Sequence, residues 1–257
     1  QLPPTVKSKE AAAAGLSETL FEKFFRRQPK VQRVDRASAL LNVQYRMHEA
    51  IMQFSNQVFY HGELKAHPAV AQQVLLPNLG TEHPSNHPVE FIDTAGCGHE
   101  EVLNEETRSF SNPGEAQVLI EHLRLLLREI DQHAEGQPMS IGIISPYKGQ
   151  KILVHESFHA EIFSQYFKHH VTIDTVDGFQ GQERDVIYLS LVRSNASGTI
   201  GFLADTRRMN VAMTRARRKL VLIGDSATLG SHGFYCDYLT YVEQLDAYHS
   251  AWEYASL

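Results

Sequence analysis

Residues 175–185 read TVDGFQGQERD, and they stand between two short apolar runs, 170–174 and 186–192. Each run is rich in β-branched residues and bounded by polar ones, the pattern of a strand buried on both faces of a parallel sheet. A loop leaving the carboxyl end of such a strand is where open α/β sheets place ligand chemistry. Gly178 and Gly181 let the backbone turn tightly and come close to a phosphate or a base. Taken alone, the stretch is equally an ordinary glycine turn.

Working outward, residues 205–225 read DTRRMNVAMTRARRKLVLIGD, with arginines at 207, 208, 215, 217 and 218. The spacing of Arg208 and Arg215 predicts two turns of one helix with both guanidinium groups on one face. Arginine suits an anionic ligand because its planar fork holds two oxygens and keeps its charge.

Upstream, a short strand over 40–43 runs into QYRMH, Gln44 to His48, and then a helix through about Phe59. Residues 89–93 form a strand. Asn112 and Pro113 cap and open a helix whose stripe is Leu119, Ile120, Leu123, Leu126, Leu127 and Ile130. Residues 141–145 are another buried strand, ending in SPYKGQ, with a helix over 149–167. Alternating strands and helices predict a parallel sheet covered on both faces. An amphipathic helix is expected over 16–27. The stretch 61–88 has no sustained period and reads as a long irregular connection in which His83 and His87 are solvated. The aromatic-rich end reads as a packed terminal helix.

The glycine-bearing and arginine-bearing stretches together resemble motifs V and VI of superfamily 1 helicases, in the branch that includes the nonsense-mediated-decay RNA helicase and its DNA-acting relatives. QYRMH resembles that family's motif between III and IV, SPYKGQ its motif IV, and the opening QLPP the close of its motif III. Met209 and Met213 stand where leucines are common in motif VI.

The resemblance implies an α/β, RecA-like P-loop NTPase fold without the P-loop. Residues 1–36 would close motif III and connect from a first motor domain, 37–230 would be the second RecA-like domain, and 231–257 a helical tail. Gln1 would sense the γ-phosphate, Tyr45 lie against the adenine, Arg46 reach the phosphates and Arg215 act as arginine finger. Gly181, Glu183 and Arg208 would complete the nucleotide site. Ser145, Tyr147, Thr175 and Val176 would face the sugar-phosphate strand. The implied cofactor is ATP with Mg²⁺, the metal held by the upstream motor domain. The implied partners are that domain and single-stranded DNA or RNA, traversed 5′ to 3′.

Composition bounds the alternatives. With 42% hydrophobic and 21% charged residues the chain is ordinary for a globular protein. A formal net charge of -6 argues against a uniformly basic coat for nucleic acid and leaves room for a local basic groove. No run approaches the roughly 20 apolar residues of a membrane helix. Cys97 and Cys236 are the only cysteines and lie far apart, so a reducing cytoplasmic or nuclear setting is expected. G-x-x-x-x-G-K-[ST] does not occur, so this stretch is not expected to hydrolyse ATP by itself. Two other classes compete. One is a non-catalytic nucleic-acid or protein binding module. The other is a zinc hydrolase through His155, Glu156 and His159, an H-E-x-x-H match lacking the glycine and third histidine of the extended pattern.

Overall fold

The computed structural model describes residues 6, 8–16, 18–20, 23–24, 41–134, 138–160 and 170–254. The chain divides into two compact units, Gln1–Asn42 and Val43–Leu257. In the first unit a single helical turn, Lys9–Ala11, is capped by Ser8, whose Oγ accepts from the Ala11 N–H at 3.2 Å. Gln1 and half of the positions of the helix expected over 16–27 lie outside the described residues.

The second unit is built on a six-stranded sheet. Its strands are β3 (Val89–Asp93), β6 (Ser140–Ser145), β7 (His170–Thr175), β8 (Arg184–Ser190), β9 (Ala216–Gly224) and β10 (Tyr248–Ser250), in the order β10-β3-β9-β8-β6-β7. Every pairing is parallel. Two small pairs stand apart from it: β1 (Val43–Gln44) beside β2 (Lys65–Ala66), and the hairpin of β4 (Val102–Asn104) and β5 (Ser109–Ser111).

Helices cover both faces because strand side chains alternate. One face of β6, β8 and β9 turns Ile141, Ile143, Val186, Tyr188, Val221 and Ile223 into a core completed by α2 (Pro113–His133) and α3 (Lys148–Ala160). Leu119, Leu123, Leu127 and Ile130 are the fully buried stripe of α2, and Asn112 Oδ1 caps it by accepting from the Glu115 N–H at 3.0 Å. On the other face lie α1 (Glu49–Tyr60), α4 (Thr206–Met213) and α5 (Gly233–Gln244). There Phe54 meets Tyr238 edge-on at 5.0 Å, and Tyr238 meets Phe91 of β3 at 6.4 Å.

Two expectations change. The C-terminal stretch is not only helical, since β10 pairs with β3 and closes that edge of the sheet. Residues 161–169 of the expected helix lie outside the described residues, and α3 is described to Ala160. The connection 61–88 is ordered: Leu75 and Leu76 are fully buried in the α2 core, and Asn86 both donates to the Leu76 carbonyl and accepts from the Leu76 N–H. It lacks period because it packs by single anchors rather than along one face. His83 Nδ1 there accepts from the Ser85 N–H at 3.3 Å.

Candidate active site

Residues 176–183 leave the carboxyl end of β7 and must reach the amino end of β8, with β6 between the two strands. They therefore run back along the sheet without a helix. Phe179, 1% exposed, is the pivot of this crossing. It lies over Gly142 in the middle of β6, where a Cβ would stand 2.7 Å from the Phe179 ring and from Ile187 Cδ1. Gly178 passes so close to Asp174 that a Cβ would meet its Oδ2 at 2.2 Å, and Gly181 takes φ 83°. The same loop thus begins at Thr175 on one end of the sheet and finishes at Glu183 on the other.

The charges gather at the amino ends of β8 and β9, not at the carboxyl end that the general rule for open sheets suggests. Arg46 Nε lies 2.6 Å from Glu183 Oε2, and Arg46 Nη1 donates to the Thr214 carbonyl at 3.0 Å. Arg217 Nε stands 3.8 Å from Glu183 Oε1. Arg215 is half-buried; its Nε donates to the Val211 carbonyl at 2.9 Å and its Nη1 to the Gln182 carbonyl at 3.1 Å. Burial, then the nearby Arg46, lowers the Arg215 pKa, while Glu183 pulls it upward. The structure brings Arg46, Glu183 and Arg215 to one edge.

Arg208 departs from expectation. The helix ends at Met213 with Thr214 as its C-cap, so Arg215 lies past the helix and shares no helical face with Arg208. Arg208 instead pairs with Asp177 at 2.6 Å and Asp205 at 3.3 Å, tying α4 to the crossing loop.

The Gln44–Met47 turn is held on several sides. Gln44 Oε1 accepts from the N–H groups of Arg46 at 2.8 Å and Met47 at 2.7 Å. Gln73 Nε2 donates to the carbonyls of Arg46 at 2.5 Å and Arg217 at 2.8 Å. Tyr45 stays 68% exposed and stacks on His67, ring centroids 4.5 Å apart and planes at 28°. The parallel register Val43↔Lys65, Gln44↔Ala66 places His67 beside Tyr45, and His67 Nδ1 is fixed by the Ala69 N–H at 3.2 Å. Sequence reasoning missed His67 and Gln73, both in the stretch taken as irregular. The His67-Pro68 pair, a cap followed by an N1 proline, was the available signal.

Of the residues assigned to a nucleic-acid strand, Ser145 and Tyr147, each 3% exposed, and Val176, 4% exposed, are buried. They do not offer their side chains to a strand. Ser145 Oγ accepts from the Tyr147 N–H at 3.3 Å, and the Tyr147 hydroxyl meets Arg193 and the Phe202 N–H. Thr175 is half-buried at the carboxyl end, its N–H donating to Asp174 Oδ1 at 2.8 Å. The rings of His155 and His159 lie 4.4 Å apart on α3, yet among the described residues no group of three or more His, Cys, Asp or Glu is placed to hold a metal ion. No described helix is long and apolar enough to cross a membrane.

A parallel sheet covered on both faces, a glycine loop crossing it and an arginine-rich edge define a RecA-like α/β domain. The AAA domain family model matches residues 16–227, and the chain belongs to that family, as a C-terminal domain of the superfamily 1B helicase kind. It is 39% identical over 259 residues to "DNA-binding protein SMUBP-2" of Rattus norvegicus, covering 99% of this chain and 24% of that protein. It is 38% identical over 240 residues to "DNA polymerase alpha-associated DNA helicase A" of Saccharomyces cerevisiae, covering 89% of this chain and 33% of that protein. "Helicase SEN1" of the same yeast is 35% identical over 240 residues, 92% of this chain and 10% of that protein. The chain thus spans a third or less of these relatives' length.

Proposed function

We propose that this chain is the second motor domain of an ATP-dependent helicase acting in the cytoplasm or nucleus, and that Arg215 is the finger it extends to the γ-phosphate. The observation that carries the reading is the meeting of Arg215, Arg46 and Glu183 at one edge, from three distant stretches of sequence.

Phosphoryl transfer to water spreads charge over the γ-phosphoryl oxygens, so catalysis needs fixed cations aimed there. Arg215 and Arg46 now spend N–H groups on the carbonyls of Val211, Gln182 and Thr214. Phosphate oxygens are stronger acceptors for a guanidinium than these carbonyls. Glu183 holds Arg46 in place until the nucleotide arrives, and Tyr45 offers an open ring face to the base. The P-loop and the Mg²⁺ ligands belong to the upstream motor domain, so ATP turnover is expected only when the two are joined. Because one loop links Glu183 to Thr175, a shift at the nucleotide edge is passed to the carboxyl edge, where a single strand of DNA or RNA would be gripped.

The test joins the chain to its upstream half and measures ATPase with and without single-stranded oligonucleotides. Arg215→Ala is expected to lower strand-stimulated turnover by about 10³ with strand affinity kept. Unchanged turnover would overturn the finger assignment.

A further inference from the structure

Tyr147, which resembles a strand-contacting residue, lies buried beneath the turn Gly201–Ala204, and that turn presents an aromatic ring in its place. Phe202 is 65% exposed, while Ile200 and Leu203 on either side are buried. Single exposed apolar side chains are common and need no explanation. This one differs in how firmly its exposure is imposed.

The Phe202 N–H donates to the Tyr147 hydroxyl at 3.2 Å, and the Leu203 carbonyl accepts from the Tyr235 hydroxyl at 2.8 Å. Gly201, at φ 56°, lies against the Arg193 guanidinium and the Tyr147 hydroxyl; a Cβ would meet them at 2.2 and 2.7 Å. Arg193 is itself fixed by Glu101 at 2.7 Å and lies over the Phe110 ring at 4.4 Å. Phe110 and Phe202 both pack on Tyr147, at 5.8 and 5.6 Å. The result is a braced column of Arg193, Phe110 and Tyr147 ending in an open ring. It stands just past the carboxyl ends of β6 and β8, the edge that carries Thr175 by the register Ser145↔Thr175.

We propose that Phe202 is a stacking site for an unpaired nucleobase of the bound single strand, with Tyr147 as its support rather than a contact. An aromatic face accepts any base, because every base has a π-face, which suits a motor that moves without reading sequence. Fixing the ring in advance lowers the ordering cost of binding. The inference rests on the single-strand reading of the carboxyl edge.

The test uses the full motor protein carrying Trp252→Phe, with Phe202→Trp added, and oligothymidylate as probe. Strand binding is followed by anisotropy of a labelled oligonucleotide and stacking by tryptophan emission relative to the Trp252→Phe parent. Emission is expected to be quenched saturably, with the same midpoint as the anisotropy. Phe202→Ala is expected to weaken binding about tenfold and Phe202→Tyr to restore most of it. Strand binding with unaltered emission and an unweakened Phe202→Ala variant would overturn the proposal. Absence of strand binding in the parent would instead remove the reading on which it rests, and the proposal with it.

Discussion

Arg46 and Glu183, 137 residues apart in sequence, hold each other at 2.6 Å at the amino ends of β8 and β9. The pair is only partly shielded, with side chains 34% and 45% exposed, and such pairs contribute roughly 0–1 kcal/mol to stability. In the proposed function the pair serves aim rather than stability. Glu183→Gln should leave the thermal melt within about 2 °C of the parent while lowering ATP turnover of the joined motor about tenfold. Calorimetry and a steady-state ATPase assay on the same preparation check it; a lowered melt with normal turnover would make the pair merely structural.

Tyr45 depends on His67 in the same way that Arg46 depends on Glu183. His67→Ala removes the ring stacked at 4.5 Å behind Tyr45, the proposed base platform, a contact of about 0.5–1.5 kcal/mol. The KM for ATP should rise about two- to tenfold with kcat kept, and His67→Phe, which keeps a ring, should recover most of it. Tyr45→Ala is the reference: if it raises KM and His67→Ala does not, His67 is idle.

Gly142 makes room for the loop that joins the two ends of the sheet. Gly142→Ala sets a Cβ 2.7 Å from Phe179 and should cost about 1–3 kcal/mol in urea unfolding. Phe179→Leu added to that variant should return part of the loss, and additive losses would show that the two side chains do not compete for this space. In the joined motor, the same change should reduce stimulation of ATPase by single strands more than basal turnover.

Glu115 supplies a pH dependence with a definite sign. Its carboxyl is fully buried and accepts from the Ser190 hydroxyl and the Val192 N–H, yet burial outweighs these bonds and pushes its pKa up to about 8 from 4.5. Between those values the folded chain keeps a proton that the unfolded chain has released, so stability falls as pH rises from 4.5 to about 8. Glu115→Gln cannot titrate. The stability difference between parent and variant should therefore change by up to about 1 kcal/mol per pH unit across that window. Unfolding in urea at pH 5, 6, 7 and 8 measures it, and a constant difference would mean that Glu115 is ionised throughout.

The sheet was legible because its information is local. The β-branched runs that became β6, β7 and β8, the Asn112-Pro113 helix start and the leucine stripe of α2 each follow from neighbours a few residues apart. Arg46, Glu183 and Arg215 could be named from motif resemblance, each within its own short stretch.

Tertiary structure decided how these stretches meet and which side chains remain free. Arg215 leaves the helix because Thr214 caps it, so the expected partnership with Arg208 gives way to one with Arg46. Tyr147 is buried and Phe202 exposed because hydrogen bonds from Arg193 and the Phe202 backbone reach the tyrosine hydroxyl across about 50 residues of chain. Local pattern fixes which backbone forms at each place. Exposure and charge pairing depend on what packs against that backbone from elsewhere, and only the folded chain brings those groups within reach.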